Sequence, residues 1–397
     1  MSLYSPAAVE RMMKVQEVIL RATSGEINWM QAAHIIGVSD RTMRRWKGRY
    51  ERYGYDGLFD HRQRRPSNKR VPFDEVQRIL RLYREKFDGF NVRHFHQLAH
   101  RDHGITLSYT FVKAALQAAG LVKRAKKRGP HRRRREPKAC FGEMLHIDGS
   151  THPWLALKPD EKQTLIAIGD DATKHLLYAQ LWSSESTQAV LGALKAVIEE
   201  YGIPMSLYSD RASWAFFTPE AGGKVDKDNL TQVGEVLERL GVEHIPSYSP
   251  QARGRSERLN RTLQDRLINE LRAVGIVDVE AANAYLRERY IPFHNELFAV
   301  SPRDPTNVFV VPGGIDLDQI LCERHERLVG QDNVVRFENR LIQIDKQKDR
   351  ATCAGRSVTV RRHVDGNLSV WLGVKCLGRY NSQGKKLETA VPLRRAA

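Results

Sequence analysis

The stretch TLIAIGDDATKHLLYAQLWSS, residues 164–184, holds two apolar runs and predicts two β-strands around a turn at Asp171–Lys174. Just upstream, GEMLHIDG predicts a further strand that leads into Asp148. Downstream, AVLGALKAVIEEYG has the spacing of a helix whose apolar side is buried. Strands therefore begin in this part of the chain, past Ala139.

The segments that follow alternate between strand and helix. PMSLYSD at 204–210 predicts a short strand, LTQVGEVLERLG an amphipathic helix and VEHIPSYSP another strand. SPQARGRSERLNRTLQDRL at 249–267 predicts a long helix from about Gly254 to Val274. The order is three strands, helix, strand, helix, strand, helix, which implies an α/β sheet with helices packed on it.

Three carboxylates stand at the ends of these elements. Asp148 falls in the first strand, Asp210 ends the fourth, and Glu257 lies in the first turn of the helix after the fifth. Sites in open α/β sheets gather near strand ends and helix starts, so the three are expected to meet. Taken singly, an aspartate there is commonly a turn residue or a helix cap. Asp170 and Asp171 are the rival candidates.

The blocks HID (146–148), YSD (208–210) and SPQARGRSERLNRTLQDRL resemble the three catalytic blocks of DDE transposases and retroviral integrases. The likeness spans about residues 140–300 and is greatest to bacterial insertion-sequence transposases, including the ISNCY group. It implies a ribonuclease H-like core over 139–310 and DNA transesterification at transposon ends.

The resemblance makes Asp148, Asp210 and Glu257 the catalytic, metal-binding triad, while acids placed like Asp170 and Asp171 are structural in that family. Two Mg²⁺ ions, for which Mn²⁺ can substitute, are the implied cofactors, since three carboxylates supply the hard oxygen ligands that Mg²⁺ prefers. Four basic residues around Glu257 are expected to neutralise the DNA phosphates: Arg253, Arg255, Arg258 and Arg261.

Compared with retroviral integrases, this chain has a longer segment between Asp210 and Glu257, and the surplus falls at 211–229. Three aromatic residues in that insert fit either of two roles, stacking on a splayed base or packing in the core. They are Trp214, Phe216 and Phe217.

The positive charge is concentrated at one end of the chain. Residues 1–140 hold 31 of the 64 Lys and Arg but 13 of the 47 Asp and Glu. A basic arm on a near-neutral body indicates a polyanion partner, of which nucleic acid is the commonest. The family resemblance implies that this partner is double-stranded DNA.

Residues 1–60 predict a helix-turn-helix domain, in which Gly37 ends one helix and Ser39 caps the next. The second helix turns Met43 and Trp46 inward and presents a basic surface suited to the major groove. The alternative is an ordinary helical hairpin with a basic surface. Four residues are the expected DNA contacts: Arg41, Arg44, Arg45 and Lys47.

A linker at 61–72 leads to a second helical, helix-turn-helix domain at 73–122. Its four histidines are interpreted as helix-surface and partly packed residues rather than zinc ligands, because no cysteine lies nearby; they are His94, His96, His100 and His103. A basic linker at 123–138 follows and is expected to bind phosphate through Arg132, Arg133, Arg134 and Arg135.

Residues 328–385 turn β-rich, with Asp365-Gly366 as a hairpin signal, and predict a small SH3-like β-barrel that binds either the DNA backbone or another subunit. No run is long enough to span a membrane, and the four cysteines have no CxxC spacing, so a cytoplasmic protein is expected. The family resemblance implies in addition that it is bacterial and nucleoid-associated.

The function predicted from these observations is that of a transposase which binds the terminal inverted repeats of its element, cleaves them and joins them to target DNA, as a homo-oligomer on DNA. Two alternatives are a sequence-specific DNA-binding regulator derived from a transposase and a ribonuclease H-like nuclease that never joins strands.

Overall fold

A computed structural model describes residues 6–59, 71–123, 136–219, 223–226, 228–248 and 254–387. The chain divides into two compact units, with the boundary between Arg78 and Ile79. Within the described ranges, no helix has both the length and the apolar character needed to cross a membrane.

The first unit is a small helical domain. Its elements are α1 (Pro6–Thr23), α2 (Trp29–Ile36), α3 (Asp40–Tyr53) and a 3₁₀ turn (Gly54–Leu58). Gly37 ends α2 in the left-handed region at φ 72°, where a residue without Cβ is favoured. The Ser39 hydroxyl accepts the Thr42 amide at 3.3 Å and caps α3. The predicted turn between two helices is confirmed, and Met43 is fully buried beneath it.

The second helical segment consists of α4 (Phe73–Lys86), α5 (Val92–His103) and α6 (Tyr109–Ala118). Four aromatic side chains contribute to its core, and Ala273 and Phe293, from far along the chain, pack against that core. His94 is fully buried, whereas His96 is half-buried and bonds to the Leu107 carbonyl. The two imidazoles are therefore packed or hydrogen-bonded within this segment.

The centre of the second unit is a five-stranded sheet in the order β3-β2-β1-β4-β5. The strands are β1 (Leu145–His152), β2 (Gln163–Asp170), β3 (Leu176–Trp182), β4 (Ser206–Ser209) and β5 (Glu243–Pro246). The first three pair antiparallel, while β4 runs parallel to β1 and β5 parallel to β4. The α/β sheet expected from the strand–helix alternation is confirmed.

Helices cover both faces of the sheet. One face carries α7 (Thr187–Tyr201) and α8 (Gln232–Arg239); the other carries α9 (Ser256–Ala273), α10 (Val279–Tyr285), a π-helical segment (Leu286–Tyr290) and α11 (Ile291–Phe298). Leu145 and Ile147 pack toward α7 and α8. Because side chains alternate along a strand, Asp148 is turned toward α9 instead.

The described C-terminal region holds an open four-stranded sheet and a separate two-stranded hairpin, so the predicted small SH3-like β-barrel is not supported. A short α12 (Leu317–Ile320) precedes β6 (Cys322–Leu328), β7 (Val334–Phe337), β8 (Arg340–Gln343), β9 (Ser357–His363), β10 (Leu368–Leu372) and β11 (Lys375–Tyr380). Four strands pair as β11-β10-β9-β6, and β7 and β8 pair only with each other in the residues described.

The β7–β8 hairpin explains why the sheet stays open. Its two loop residues, Glu338 and Asn339, both have positive φ, which closes a tight, self-contained turn. Val335 and Ile342 then pack on the four-stranded sheet through side chains. The hairpin backbone therefore covers a face of the sheet and leaves its edges β6 and β11 unjoined.

Candidate active site

Asp148 and Asp210 lie on neighbouring strands. The parallel register of β1 and β4 pairs Leu145 with Leu207 and His146 with Tyr208, and continuing it by two residues sets Asp148 beside Asp210. Asp148 is 8% exposed. Asp210 follows the last residue of β4, and its Oδ1 accepts the Ala212 amide at 3.0 Å. The sheet thus brings together two carboxylates that are 62 positions apart in the sequence.

Helix α9 crosses the sheet over Asp148. Asn260 Nδ2 donates to Asp148 Oδ2 at 2.9 Å, and one turn later Gln264 Nε2 donates to Ser150 Oγ at 3.1 Å. Glu257 is exposed one turn before Asn260 and on the same helix face. The predicted helix start is therefore anchored at the carboxylate of β1. Asn260, a residue that sequence analysis noticed only as part of a motif, makes the contact.

The donor chemistry of this corner fits a hard cation. Asp148 and Asp210 offer carboxylate oxygens, and Asn260 Oδ1 is a buried acceptor without a hydrogen-bond partner in the described structure. Mg²⁺ prefers such oxygen ligands. In this conformation, however, the described His, Cys, Asp and Glu side chains nowhere converge in a group of three or more that would hold a metal.

Asp170 and Asp171 are held by internal hydrogen bonds. Asp170 accepts the backbone amides of Gly142 at 3.0 Å and Thr173 at 2.7 Å. Asp171 accepts the Lys138 amide at 2.7 Å and contacts His146 Nε2 at 2.7 Å. These bonds tie the turn after β2 to the start of the core, which supports a structural role for both acids.

The pKa of Asp171 reflects the same contacts. Burial alone would raise that pKa, but the bonds from His146 and the Lys138 amide, with the charges of His146 and Arg255, lower it to about 2. Arg255 Nε lies 2.9 Å from Asp171 Oδ1, and its side chain is only 14% exposed. The guanidinium that sequence analysis assigned to DNA phosphates is thus engaged with the protein interior.

The other predicted arginines of α9 differ in exposure. Arg258 and Arg261 are exposed, and Arg258 Nε donates to the Gly254 carbonyl at 2.5 Å. Arg253 lies outside the described residues. Exposed guanidinium groups therefore remain beside Glu257 after Arg255 is committed to Asp171.

The basic surface of α3 is exposed to solvent. Arg41, Arg44 and Arg45 are exposed, share one helix face, and form no ion pair in the described part of the chain. Lys47 instead lies over the Trp29 ring at 4.8 Å and 3.6 Å from Glu51. The predicted phosphate contacts Arg132, Arg133, Arg134 and Arg135 lie outside the described residues.

The aromatic residues of the 211–229 insert separate into two groups. Trp214 is 7% exposed and belongs to the sheet core, and Phe216 stacks on His244 at 4.0 Å between ring centroids. Phe217 is 51% exposed. Core packing accounts for the first two. Glu185, which accepts the Trp214 indole N–H at 2.7 Å, was missed by sequence analysis because nothing in its local pattern sets it apart.

Known families and proteins resemble this chain in sequence. A family model described as a helix-turn-helix domain matches residues 16–67, and one described as a homeodomain-like domain matches residues 42–116. The putative transposase y4bF of Sinorhizobium fredii is 32% identical over 373 residues, covering 92% of this chain and 80% of the relative. The transposase for insertion sequence IS1202 of Streptococcus pneumoniae is 27% identical over 359 residues, covering 81% of this chain and 76% of the relative.

Solved structures give weaker matches. A simian T-cell lymphotropic virus intasome in complex with PP2A regulatory subunit B56 gamma matches with a TM-score of 0.32 and 12% identity, covering 72% of this chain and 93% of that one. The HTLV-2 integrase catalytic core domain in complex with magnesium matches with a TM-score of 0.28 and 14% identity, covering 38% and 88%.

Proposed function

The chain belongs to the family of bacterial insertion-sequence transposases, and we propose that it is a DDE-type enzyme that nicks the inverted-repeat ends of its element and joins the 3′ hydroxyls to target DNA. The observation that carries this proposal is the register of β1 and β4, in which Asp148 stands beside Asp210 under the first turns of α9. Glu257 completes the proposed triad from that helix.

The residues of this corner have distinct proposed roles. Asp148, Asp210 and Glu257 would hold two Mg²⁺ ions, or Mn²⁺ in their place, which activate a nucleophile and stabilise the leaving oxygen of a phosphodiester. Asn260 fixes the orientation of the Asp148 carboxylate through its amide. Arg258 and Arg261 are exposed on the same helix and attract the anionic backbone that must approach these carboxylates.

DNA is held mainly by the N-terminal part of the chain in this proposal. The free basic face of α3 reads the terminal repeats in the major groove, and the run at 132–135 binds phosphate without regard to sequence. Two element ends and a target must be held at once, so the active form is a homo-oligomer on double-stranded DNA. The protein acts at the bacterial nucleoid.

The test is cleavage of a labelled transposon-end oligonucleotide with Mg²⁺ or Mn²⁺. Asp148→Asn, Asp210→Asn and Glu257→Gln should each abolish nicking and joining yet retain end binding, because an amide keeps the shape but loses the charge that holds the cation. Glu161→Gln, an exposed acid of the β1–β2 connection, is the matched control and should stay active.

The alternatives give different results in the same assay. Wild-type protein that binds the ends but never nicks them would favour a regulator, and nicking without joined product would favour a nuclease. Full activity in any one triad variant would remove that residue from the site.

A further inference from the structure

Glu185 lies against the strand residue that follows Asp148. It stands in the loop between β3 and α7 and is half-buried. A Cβ atom added to Gly149 would overlap the Glu185 carboxylate. Gly149 has no positive φ, so this close approach, rather than backbone conformation, favours a residue without a side chain here.

The same carboxylate reaches the segment that carries Asp210. Trp214 Nε1 donates to Glu185 Oε1 at 2.7 Å. Trp214 is 7% exposed, and a buried indole N–H requires an acceptor. Glu185 is therefore the partner that allows this ring to enter the core.

The turn from Asp210 to Phe216 transmits the position of Trp214 to the active-site carboxylate. Asp210 Oδ1 accepts the Ala212 amide at 3.0 Å, and the Ala212 carbonyl accepts the amides of Ala215 at 2.9 Å and Phe216 at 3.1 Å. Trp214 lies inside this turn. A shift of the indole would move the backbone that sets the Asp210 carboxylate.

We propose that Glu185 is a positioning residue of the transposase, which ties the Asp210–Phe216 turn to β1 at Gly149 and so fixes the spacing between Asp148 and Asp210. This inference rests on the proposed function. In this role Glu185 makes a hydrogen bond and a packing contact but does not contact DNA directly. Glu185→Gln keeps the acceptor oxygen and should therefore retain the positioning function.

The first measurement uses the fluorescence of the metal-free protein, so it does not depend on cleavage. The chain has six tryptophans, and subtracting the Trp214→Phe spectrum isolates the Trp214 emission. Glu185→Gln should preserve that emission, and Glu185→Ala should shift it. An unchanged Trp214 emission in Glu185→Ala would overturn the bond, whether or not the protein cleaves DNA.

The second measurement is the cleavage rate in a double-mutant cycle. Glu185→Ala and Trp214→Phe should each lower the rate by up to about 10²-fold, the loss expected from a misplacement of ~1 Å. The double variant should be no slower than the slower single one, because both remove the same bond. Additive losses, or a Glu185→Gln rate as low as that of Glu185→Ala, would overturn the positioning role.

Gly149→Ala provides a test that leaves Glu185 intact. The new methyl group must displace the carboxylate from Trp214, so both the fluorescence shift and the rate loss should reappear. Gly314→Ala, at a glycine with nothing within 4 Å of the added Cβ, is the control. If Gly149→Ala matches this control in both readouts, the contact has no role in placing Asp210.

Discussion

Helices α3 and α9 are both rich in arginine, yet they use it differently. In α3, Arg41, Arg44 and Arg45 are exposed on one face without an ion pair in the described structure. At α9, Arg255 is bound to Asp171, and Arg266, 6% exposed, donates to Gln97 Oε1 at 2.8 Å. The comparison shows that arginine content alone does not mark a DNA-binding surface.

The difference follows from what each helix packs against. Helix α3 buries one side in a small core and leaves its other side to solvent, as an amphipathic helix does. Helix α9 is covered by the sheet near its start and by the second helical segment near its end. Charged groups near its two ends are consequently bonded inside the protein, as Arg255 is to Asp171 and Arg266 to Gln97, whereas Arg258 and Arg261 near Glu257 are exposed.

The largest effect is expected at the buried end of α9. Glu270 is 3% exposed, its Oε1 lies 2.7 Å from His94 Nε2, and its Oε2 accepts the Tyr285 hydroxyl at 2.7 Å. Glu270→Ala leaves the buried His94 and the half-buried Tyr285 without their acceptor and should lower the free energy of unfolding by about 3–5 kcal/mol. Urea denaturation measures this loss.

The exposed Glu288 of the π-helical segment is the control for that change. Glu288→Ala should stay within about 0.5 kcal/mol of wild type. A small loss of stability in Glu270→Ala would mean that this network does not fix the second helical segment to α9. The buried charges of α9 would then contribute no more to stability than its exposed charges.

A somewhat smaller effect is expected at the start of α9. Arg255→Ala removes a cation from the buried Asp171 and should cost about 3 kcal/mol in stability. The pKa of Asp171, about 2 in the folded protein, lies below its ordinary value of 3.8, so its contribution to stability is present above pH 3.8 and lost as the pH falls toward 2. In Arg255→Ala that pKa rises, and acid unfolding should begin at a higher pH.

Thermal unfolding between pH 2 and 5 distinguishes this role from DNA binding. Arg261→Ala, at an exposed residue of the same helix, should unfold like wild type across the range. If Arg255→Ala also unfolds like wild type, the ion pair is not structural, and the original assignment of Arg255 to DNA phosphates regains its support.

Sequence patterns predicted those features of the structure that depend on residues close together in the chain. The strand–helix alternation predicted the sheet, and the rule that sites gather at strand ends anticipated Asp210, which follows β4. Asp148 lies within β1, and the parallel register sets it beside Asp210. Gly37 and Ser39 fixed a helix boundary because the capping chemistry is local.

The features that were missed depend on tertiary contacts. Arg255 and Arg258 look alike in sequence, and only the fold sets one of them against Asp171, 84 residues away. Glu270 and His94 are 176 residues apart, so their pairing has no local signal. The prediction of a small β-barrel failed for the same reason. A hairpin pattern predicts β7 and β8 but does not tell whether they join the neighbouring sheet through the backbone or cover it with side chains.

The smallest effect is expected for the exposed arginines of α3. Replacing any one of Arg41, Arg44 and Arg45 by Ala should weaken binding to the terminal repeat by roughly 1–3 kcal/mol if that residue reads a base edge, and relax specificity at one position. Stability should not change, because these side chains have no ion-pair partner in the described structure. Gel-shift titration on repeat and scrambled duplexes measures both affinities.

A uniform loss of affinity on both duplexes, with a shallower salt dependence, would make these arginines phosphate contacts. Unchanged affinity in the triple variant would leave α3 with no DNA-reading role.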